Sequence, residues 1–583
     1  MTFAPGLEAL AWHTADVAES AYAQLARRLI APPRGTIEIV LTDNVDFSNG
    51  AATPFPSNRI FVYAKPPVDD LSLGYYHDWI DLVVTHELTH ILHLDATGWL
   101  GRALRQVFGR VPSGWPLFPA VFTPQWNIEG LATHEESRLT GFGRVNGSFF
   151  EMMLRTAVLE RRFEPIDRAT GNTPIWPDGT RPYLYGSRFF DYLDRTHGDT
   201  ADAAVARRTA GALVPPTLWF DRVGQKAIGW SFTTAWQDWR RELERGYAGL
   251  ADSLAALGLT QAERLTEAGR LALYPRVSPD GRRLAFAADD GRSDVATRVL
   301  ELETGRQWKL ARRNGLGPSS WLPDGSAVLT SQLEFRDPYH IFADLYRVTG
   351  AGEARLTRGG RLAEPDLAAD GRRVVAVENR GGDVRLVLYE IGSGRVRPLT
   401  SFGEAHWSLP RWAPDGNRIA AGRWRDGNYD VVVLDTLGEI VFAPAGDRAI
   451  DAAPAWSPDG RYLLFWSDRS GIPNLYGYDL SAGEPPPLLQ VTNVLTGAFY
   501  PDVSPDARWI YYSGYHADGF HIERIPFDPA AWRPPPPLDA RFRPSAPEPL
   551  ATRAAVSATR GAGSPPRRYS PWATLLPRYW LPV

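Results

Sequence analysis

The residues best suited to chemistry are Thr85-His86-Glu87-Leu88-Thr89-His90, which have the form HExxH. Apolar residues around them recur at helical spacing and predict a helix from Asp78 to Asp95. Positions i and i+4 share one helix face, so His86 and His90 can direct imidazole nitrogens at one metal ion. Glu87 is then placed to take a proton from an attacking water. The motif predicts one catalytic Zn²⁺ ion, although an isolated HExxH also occurs by accident in helices with two unrelated histidines.

A second segment offers the third ligand that such a site needs. Trp126-Asn127-Ile128-Glu129-Gly130-Leu131-Ala132 places an acid and a glycine at the start of another apolar helix. No glycine and histidine follow His90 at the offsets that a metzincin requires. The segment instead resembles the E-G-x-A signature of gluzincins such as aminopeptidase N. This resemblance implies that Glu129 is the third zinc ligand and that Gly130 lets two helices approach closely around the metal.

Glu136 lies seven residues after Glu129 and returns to the same helix face. In that position it can support a ligand histidine from behind, and the alternative is a solvated helix charge. The resemblance also implies a tyrosine that donates to the oxyanion, and Pro182-Tyr183-Leu184-Tyr185-Gly186 fits that pattern. Aligning on the glycine selects Tyr183, with Tyr185 in reserve; the alternative for Tyr183 is an aromatic that only packs.

Gluzincins of the aminopeptidase N type also hold the substrate backbone with an edge strand that carries G-A-M-E-N. The nearest stretch here runs from Asn49 to Pro54 and leads into the β-rich run Arg59-Ile60-Phe61-Val62-Tyr63. We therefore predict that Arg59, Ile60 and Phe61 belong to the substrate edge strand. The acid of the family motif is absent, which favours an endopeptidase over an aminopeptidase because strand pairing needs only backbone groups.

The elements that must position these residues form a predicted α+β domain over residues 1–255. Helical periodicity marks residues 15–30, 148–161, 187–195 and 233–250, besides the two helices of the metal site. β-rich runs at 36–41 and 59–63 predict two strands with a turn-rich loop between them. Helices therefore dominate this half of the chain, which the resemblance identifies as a gluzincin-type metallopeptidase domain.

Beyond residue 255, a turn of the Pro-Asp-Gly type repeats six times, with aspartates at 280, 324, 370, 415, 459 and 506. The period is near 45 residues, and short apolar β-runs flank each turn, as propeller blades require. Aspartate and glycine at these positions are turn formers rather than catalytic residues. The repeat resembles that of TolB-type propellers and predicts an all-β six-bladed propeller over residues 256–530. Residues 531–583 are rich in Pro and Arg and are expected to form a linker or tail.

Composition excludes several classes of protein. The chain has 583 residues and no cysteine, so thiolate metal sites and cysteine nucleophiles are ruled out. A net charge of -4 argues against nucleic acid as the main partner. No run of residues resembles a transmembrane helix, and no signal peptide is visible at the N-terminus. By resemblance to proteins of similar layout we nevertheless expect a bacterial periplasmic or outer-membrane-associated location.

The sequence thus predicts a multidomain protein that hydrolyses peptide bonds with zinc, and an endopeptidase in particular. In this hypothesis the propeller limits access or recruits protein substrates, and it offers a surface for a protein partner. The alternative is a non-catalytic propeller that binds proteins in envelope assembly and carries a vestigial zinc domain. A zinc hydrolase that acts on a non-peptide bond is a third option.

Overall fold

The computed structural model describes residues 1–583 except 34, 69, 172, 174, 268, 445, 543–565, 571, 573, 574, 576 and 581–583. Within this described part, residues 1–256 form one mixed four-stranded sheet and nine α-helices. The strands are β1 (Thr2–Phe3), β2 (Glu38–Thr42), β3 (Gly50–Thr53) and β4 (Arg59–Tyr63). The helices are α1 (Glu8–Arg28), α2 (Trp79–Asp95), α3 (Trp99–Phe108), α4 (Gln125–Thr140), α5 (Ser148–Leu159), α6 (Arg181–His197), α7 (Ala201–Ala210), α8 (Phe220–Ile228) and α9 (Phe232–Ala256).

The sheet has the strand order β1-β2-β4-β3, so the edge beside α2 belongs to β3. β4 pairs in parallel with β2 and in antiparallel fashion with β3, and both of its sides are therefore occupied. The prediction that Arg59, Ile60 and Phe61 form the substrate edge strand was wrong. The chain reverses direction between Thr53 and Arg59, so that Gly50–Thr53 pairs with β4. Because Gly50–Thr53 is the last strand of the sheet, it forms the open edge.

Helix α2, which carries the HExxH motif, is buried along almost its whole length. Its N-cap is Asp78, whose carboxylate accepts hydrogen bonds from the backbone N–H groups of Ile80 and Asp81. Such a cap satisfies donors that would otherwise be orphaned in the interior. Because α1, α4 and β3 all pack against α2, its histidines are held in a fixed orientation.

A glycine pair brings α4 and α6 into close contact. A Cβ on Gly186 would lie 2.1 Å from the carbonyl oxygen of Trp126, and one on Gly130 would lie 2.4 Å from the backbone of Gly186. Gly130 thus allows α4 to approach α6, which carries Tyr183, rather than the HExxH helix that the resemblance implied. Trp126 itself is fully buried, and its ring contacts the rings of Phe189, Phe190, Phe220 and Phe232.

The second half of the described chain is a six-bladed β-propeller of four-stranded antiparallel sheets. Blades one to three contain β6 (Leu271–Val277), β7 (Arg283–Asp289), β8 (Ala296–Glu301), β9 (Gln307–Arg312), β10 (Ser320–Trp321), β11 (Val328–Asp337), β12 (His340–Thr349), β13 (Gly352–Arg355), β14 (Leu362–Leu367), β15 (Arg373–Arg380), β16 (Asp383–Glu390) and β17 (Val396–Pro398). Blades four to six contain β18 (His406–Trp412), β19 (Arg418–Arg425), β20 (Asn428–Asp435), β21 (Ile440–Phe442), β22 (Asp451–Trp456), β23 (Tyr462–Ser467), β24 (Asn474–Asp479), β25 (Leu488–Gln490), β26 (Gly497–Val503), β27 (Trp509–His516) and β28 (Gly519–Pro526). The prediction of six blades with a repeated turn between their first two strands is confirmed.

The ring is closed by a strand from outside the repeats. β5 (Glu263–Arg264), which precedes the first blade, pairs with β28 and completes the sixth sheet. Closure of this kind joins the two ends of the ring, so no blade is left with an unpaired junction.

The helical region sits on one face of the propeller and contacts most of its blades. Arg361 of the third blade donates to the carboxylates of Asp43 and Asp46, which follow β2. Tyr76, just before α2, stacks on Trp424 of the fourth blade with ring centroids 4.9 Å apart. Contacts with the fifth and sixth blades are made by Ser148 with Asp468, by Arg155 with the carbonyl oxygens of Leu495 and Thr496, and by Trp176 with Tyr515.

Only part of the predicted tail 531–583 falls within the described residues. Arg533 pairs with Gln490 on the fifth blade, and Phe542 is fully buried beside Tyr75. Near the other end, Tyr579 forms a bridge with Gly109, and the Trp580 indole donates to the carbonyl oxygen of Val107. None of the helices in the described part of the chain has the length and hydropathy needed to cross a bilayer.

The glycine contact between α4 and α6 gives a first prediction. Gly186→Ala is expected to lower the free energy of unfolding by about 1–3 kcal/mol, because its methyl group would meet the Trp126 carbonyl in a closely packed site. Chemical denaturation of the full chain measures the change. The matched control is Gly246→Ala on α9, where a Cβ meets nothing within 4 Å; it is expected to stabilise by up to about 1 kcal/mol. Equal effects of the two substitutions would contradict the assigned role of Gly186.

Candidate metal centre

Three side chains from two helices converge on one point. The Nε2 atoms of His86 and His90 on α2 lie 3.1 Å apart, and Glu129 Oε2 on α4 lies 3.1 Å from His90 Nε2 and 3.7 Å from His86 Nε2. Both histidines are buried, whereas Glu129 is partly exposed. The structure therefore brings together all three residues that the sequence predicts as ligands.

The geometry of this cluster fits a tetrahedral metal ion. Zinc binds nitrogen and oxygen at about 2.0–2.2 Å, which sets neighbouring ligand atoms of a tetrahedron about 3.3 Å or slightly more apart. The three measured separations bracket this value. Two imidazole Nε2 atoms that face each other at 3.1 Å can both be acceptors if a cation lies between them. Two nitrogens and one carboxylate oxygen are also ligand types that suit zinc.

Glu87 lies beside this cluster with one oxygen unused. Its Oε2 atom is buried and has no hydrogen-bond partner among the described residues. Burial raises the pKa of Glu87 above its usual range, and the adjacent His86 and His90 oppose that shift. A raised pKa and an open acceptor are what a general base needs.

A cleft of about 340 Å³ opens in front of Glu87 and the three converging side chains. One wall is the open edge strand β3, and Asn49, Gly50, Ala51 and Ala52 all line the cleft. A Cβ on Gly50 would lie 2.5 Å from Glu87 Oε1, so only glycine leaves room for the carboxylate at this position. The stretch from Asn49 to Pro54, which the sequence indicated as nearest to G-A-M-E-N, thus borders the cleft. The run that begins at Arg59 is not among the residues that line it.

Behind the cluster, Glu136 holds His86 in place. Its Oε2 atom lies 2.8 Å from His86 Nδ1, which leaves Nε2 of the same ring directed at the other two side chains. Arg144 donates to both oxygens of Glu136, at 2.8 Å from Nε and 2.7 Å from Nη2. Although burial disfavours the charged carboxylate, Arg144 and His86 lower the pKa of Glu136 to about 2. The carboxylate therefore stays ionised and fixes the tautomer of His86.

Arg144 was missed by the sequence analysis. It lies in the loop 141–147 after α4, which turns back so that Arg144 reaches Glu136 eight residues earlier. The backbone N–H of Gly143 donates to the carbonyl oxygen of Tyr75, and that of Val145 donates to Ser137 Oγ. A lone arginine between glycines is a weak signal, because many such arginines are simply exposed loop residues.

The same loop contacts the propeller. The guanidinium of Arg448 lies 5.2 Å from the ring centroid of Phe142, and a Cβ on Gly427 would lie 3.1 Å from that ring. At the other end of the loop, Ser148 Oγ donates to Asp468 at 2.6 Å. Propeller residues therefore support both flanks of the loop that carries Arg144.

The structure separates the two candidate tyrosines. Tyr183 lines the cleft, and its ring stacks on His86 with centroids 6.2 Å apart. Burial and the neighbouring Glu129 carboxylate raise the pKa of Tyr183, so its hydroxyl stays protonated and can donate. Tyr185 points away from the cleft, where its hydroxyl accepts a hydrogen bond from the backbone N–H of Glu164. The alignment on Gly186 thus selects the tyrosine that faces the cluster.

A second group of potential ligands is buried between α4 and α7 and consists of His134, Glu135 and Asp202. Here a cation is already supplied by the chain: Arg28 Nη1 contacts Glu135 and lies 2.8 Å from Asp202. The guanidinium occupies the position that a metal would take, so this group is an ion-pair cluster joining α1, α4 and α7.

Comparison with known proteins finds similarity in the second half of the chain. A sequence model of the family "TolB beta propeller domain" matches residues 350–533. The propeller is TolB-like. The "Tol-Pal system protein TolB" of Anaeromyxobacter dehalogenans strain 2CP-C is 34% identical over 308 residues, which cover 48% of this chain and 65% of that protein. The protein of the same name from Anaeromyxobacter sp. strain K has the same identity and coverage. The chain thus spans less than two thirds of the length of these relatives.

Among solved structures, a putative TolB from Agrobacterium tumefaciens is 19% identical, with a TM-score of 0.34; the match covers 40% of this chain and 86% of the Agrobacterium chain. TolB from Acinetobacter baumannii is 20% identical, with a TM-score of 0.30; the match covers 45% of this chain and 56% of the Acinetobacter chain. The residues matched by the family model begin in the second blade, end just after the sixth, and do not include His86, His90 or Glu129.

The support that Arg144 gives to Glu136 leads to a second prediction. Arg144→Met is expected to weaken Zn²⁺ binding about 10- to 100-fold, because Glu136 loses its counter-charge and no longer orients His86. Competition with a chromophoric chelator measures the affinity of the full chain. Arg195→Met, which breaks an exposed pair with Glu242, is the matched control and should leave the affinity unchanged. Unaltered zinc binding by Arg144→Met would contradict this assignment.

Proposed function

We propose that the protein is a zinc-dependent endopeptidase of the gluzincin type, mounted on a TolB-like propeller. The observation that carries this proposal is the convergence of His86, His90 and Glu129 at 3.1–3.7 Å. Beside them lies a buried carboxylate oxygen of Glu87 that has no hydrogen-bond partner among the described residues. His86, His90 and Glu129 would hold one zinc ion, and an open fourth position is typical of catalytic rather than structural zinc sites.

Four further residues that line the cleft would act in peptide hydrolysis: Glu87, Tyr183, Glu136 and Arg144. Zinc, when bound, supplies a Lewis acid that polarises the scissile carbonyl and lowers the pKa of water. Glu87 takes the proton of the attacking water and passes it to the leaving amine. Tyr183 donates its hydroxyl hydrogen to the oxyanion that develops on the carbonyl. Glu136, held by Arg144, keeps His86 in the correct tautomer throughout.

Two features of the cleft favour internal cleavage. The acids among its lining residues are Glu87, Glu129 and Glu136, and each already has a role around the metal. No further acid among the described lining residues is left to bind a free amino terminus. The open edge of β3 offers backbone N–H and C=O groups that can pair with an extended peptide wherever its ends lie.

The comparisons favour a second candidate function, in which the propeller binds proteins of the cell envelope and the zinc site is vestigial. They match the propeller, and the relatives are named as Tol-Pal system proteins. The sequence comparisons, taken alone, support this binding function better than they support peptide hydrolysis. The geometry of the cleft, by contrast, supports catalysis. In both cases we propose a periplasmic or outer-membrane-associated location and a protein partner on the propeller.

Glu87→Gln separates the two functions. It removes the general base without touching the three ligands, so zinc content should match that of the parent while cleavage of casein falls by at least about 100-fold. Metal analysis and a casein assay on the same preparations measure both. His90→Ala is the companion variant, which should lose zinc and activity together.

A complementation experiment decides which function matters in the cell. If hydrolysis is required, expression of Glu87→Gln in a deletion strain will fail to correct the envelope defect of that strain. Full rescue by Glu87→Gln, or a parent protein that retains no zinc and cleaves nothing, would favour the binding function of the propeller instead.

Tyr183 and Tyr185 provide a matched pair of variants that tests which hydroxyl donates to the oxyanion. Tyr183→Phe is expected to lower kcat about 100- to 1,000-fold with little change in KM, because the lost hydrogen bond acts mainly in the transition state. Tyr185→Phe removes a hydroxyl bonded to the backbone of Glu164 and should retain kcat. Steady-state kinetics on a fluorogenic peptide provide the comparison. A normal kcat for Tyr183→Phe would remove this residue from the mechanism.

A further inference from the structure

We propose that the helical region binds the surface of an anionic lipid bilayer through one exposed apolar and basic surface. This inference is independent of the proposed zinc chemistry, because the surface lies outside the cleft and shares no residue with it. It consists of six large apolar side chains that are each more than half exposed: Trp99, Phe122, Leu213, Val214, Leu218 and Trp219.

Three segments bring these side chains together. Gly98, the N-cap of α3, lies against the backbone of Ala210 and Gly211, so Trp99 is next to the segment that leads to Leu213. The Trp115 indole donates to the carbonyl oxygen of Ala212 at 3.1 Å. The short helical turn Pro119–Phe122 contacts the turn Pro216–Trp219, which joins Phe122 to Leu218 and Trp219. The segments that carry these apolar groups are thus neighbours in space, which groups the side chains on one part of the surface rather than scattering them singly.

The composition of the surface fits a lipid headgroup region better than a protein groove. Trp99 is 64% exposed, Leu218 71% and Trp219 51%, and large apolar groups of this kind are costly to leave in water. Tryptophan is enriched where a membrane meets water, because its ring is apolar and its N–H can bond to headgroups. Amphipathic helices that lie in this zone carry Trp, Phe and Leu on one face and Arg or Lys on the other. Helix α3 has that character, because Trp99 and Val107 are exposed and so is Arg102, three residues after Trp99.

Charge selects the kind of bilayer. Residues 97–123 contain three arginines and no acid, although Arg105 and Arg110 both pair with Asp95, which leaves Arg102. Residues 207–230 contain four cations and one acid, whereas the whole chain has a net charge of -4. The side chains of Arg102, Arg208, Arg222 and Lys226 are exposed around the apolar groups. The guanidinium of Arg222 lies 4.7 Å from the ring centroid of Trp219, which ties the basic and apolar parts together. A local positive field beside exposed apolar groups matches the negative surface potential of an anionic membrane.

Co-sedimentation of the full chain with lipid vesicles tests this proposal. The parent should bind vesicles of phosphatidylcholine mixed with phosphatidylglycerol, should bind phosphatidylcholine alone weakly, and should dissociate as salt is added. The double variant Leu218→Ser/Trp219→Ser should bind at least about tenfold more weakly, because it removes two of the inserted groups. The charge variant Arg208→Glu/Lys226→Glu should weaken binding to the mixed vesicles only.

The matched control replaces two exposed apolar residues on the fourth blade, Leu437→Ser/Val441→Ser, and should bind as the parent does. Circular dichroism melting curves confirm that each variant is folded. The proposal is overturned if the parent does not sediment with anionic vesicles, or if the control weakens binding as much as Leu218→Ser/Trp219→Ser. It is also overturned if size-exclusion chromatography shows a parent dimer that this variant dissociates while neither protein binds lipid, since the surface is then a contact between two copies.

Discussion

The candidate metal centre depends on a buried ion pair between Arg144 and Glu136. Arg144 donates hydrogen bonds to both carboxylate oxygens of Glu136, and Glu136 in turn contacts Nδ1 of His86. Without the arginine, a carboxylate in this interior would become neutral or would distort its surroundings, because burial alone raises its pKa. Everything in front of it, from the orientation of the imidazole to the stacking of Tyr183 on that ring, depends on this charge being held in place.

The propeller takes part in that arrangement. The loop that carries Arg144 is flanked by Phe142, which packs under Arg448, and by Ser148, which bonds to Asp468. Tyr76, two residues before the N-cap of α2, stacks on Trp424. The ring of β-sheets thus supports the two segments that position helix α2 and the buried ion pair beside it. This gives the propeller a structural task beside any partner that it binds.

The sequence predicts those parts of the fold whose signal is local. The helix around HExxH was predicted to start at Asp78, which proves to be its N-cap, and the repeated Pro-Asp-Gly turns reveal the six blades. The positions of Arg144 and β3 could not be predicted, because each depends on a hairpin or loop folding back against a distant helix. Another repeated signal was overlooked: Tyr274, Glu364, Leu409, Ala453 and Tyr500 each precede a proline and adopt positive φ, which places a bulge in the innermost strand of five blades.

The strand that closes the ring has a consequence for how the protein is made. Residues 263–264 complete a blade whose other strands end at residue 526, so the ring closes only after about 260 more residues have left the ribosome. The segments with the two histidines and Glu129 emerge long before the fourth and fifth blades that support their flanking loops. A nascent or prematurely terminated chain therefore carries the candidate metal ligands without the propeller residues that support the neighbouring loops. The supports that these loops receive from the propeller are therefore complete only after the fourth and fifth blades have been made.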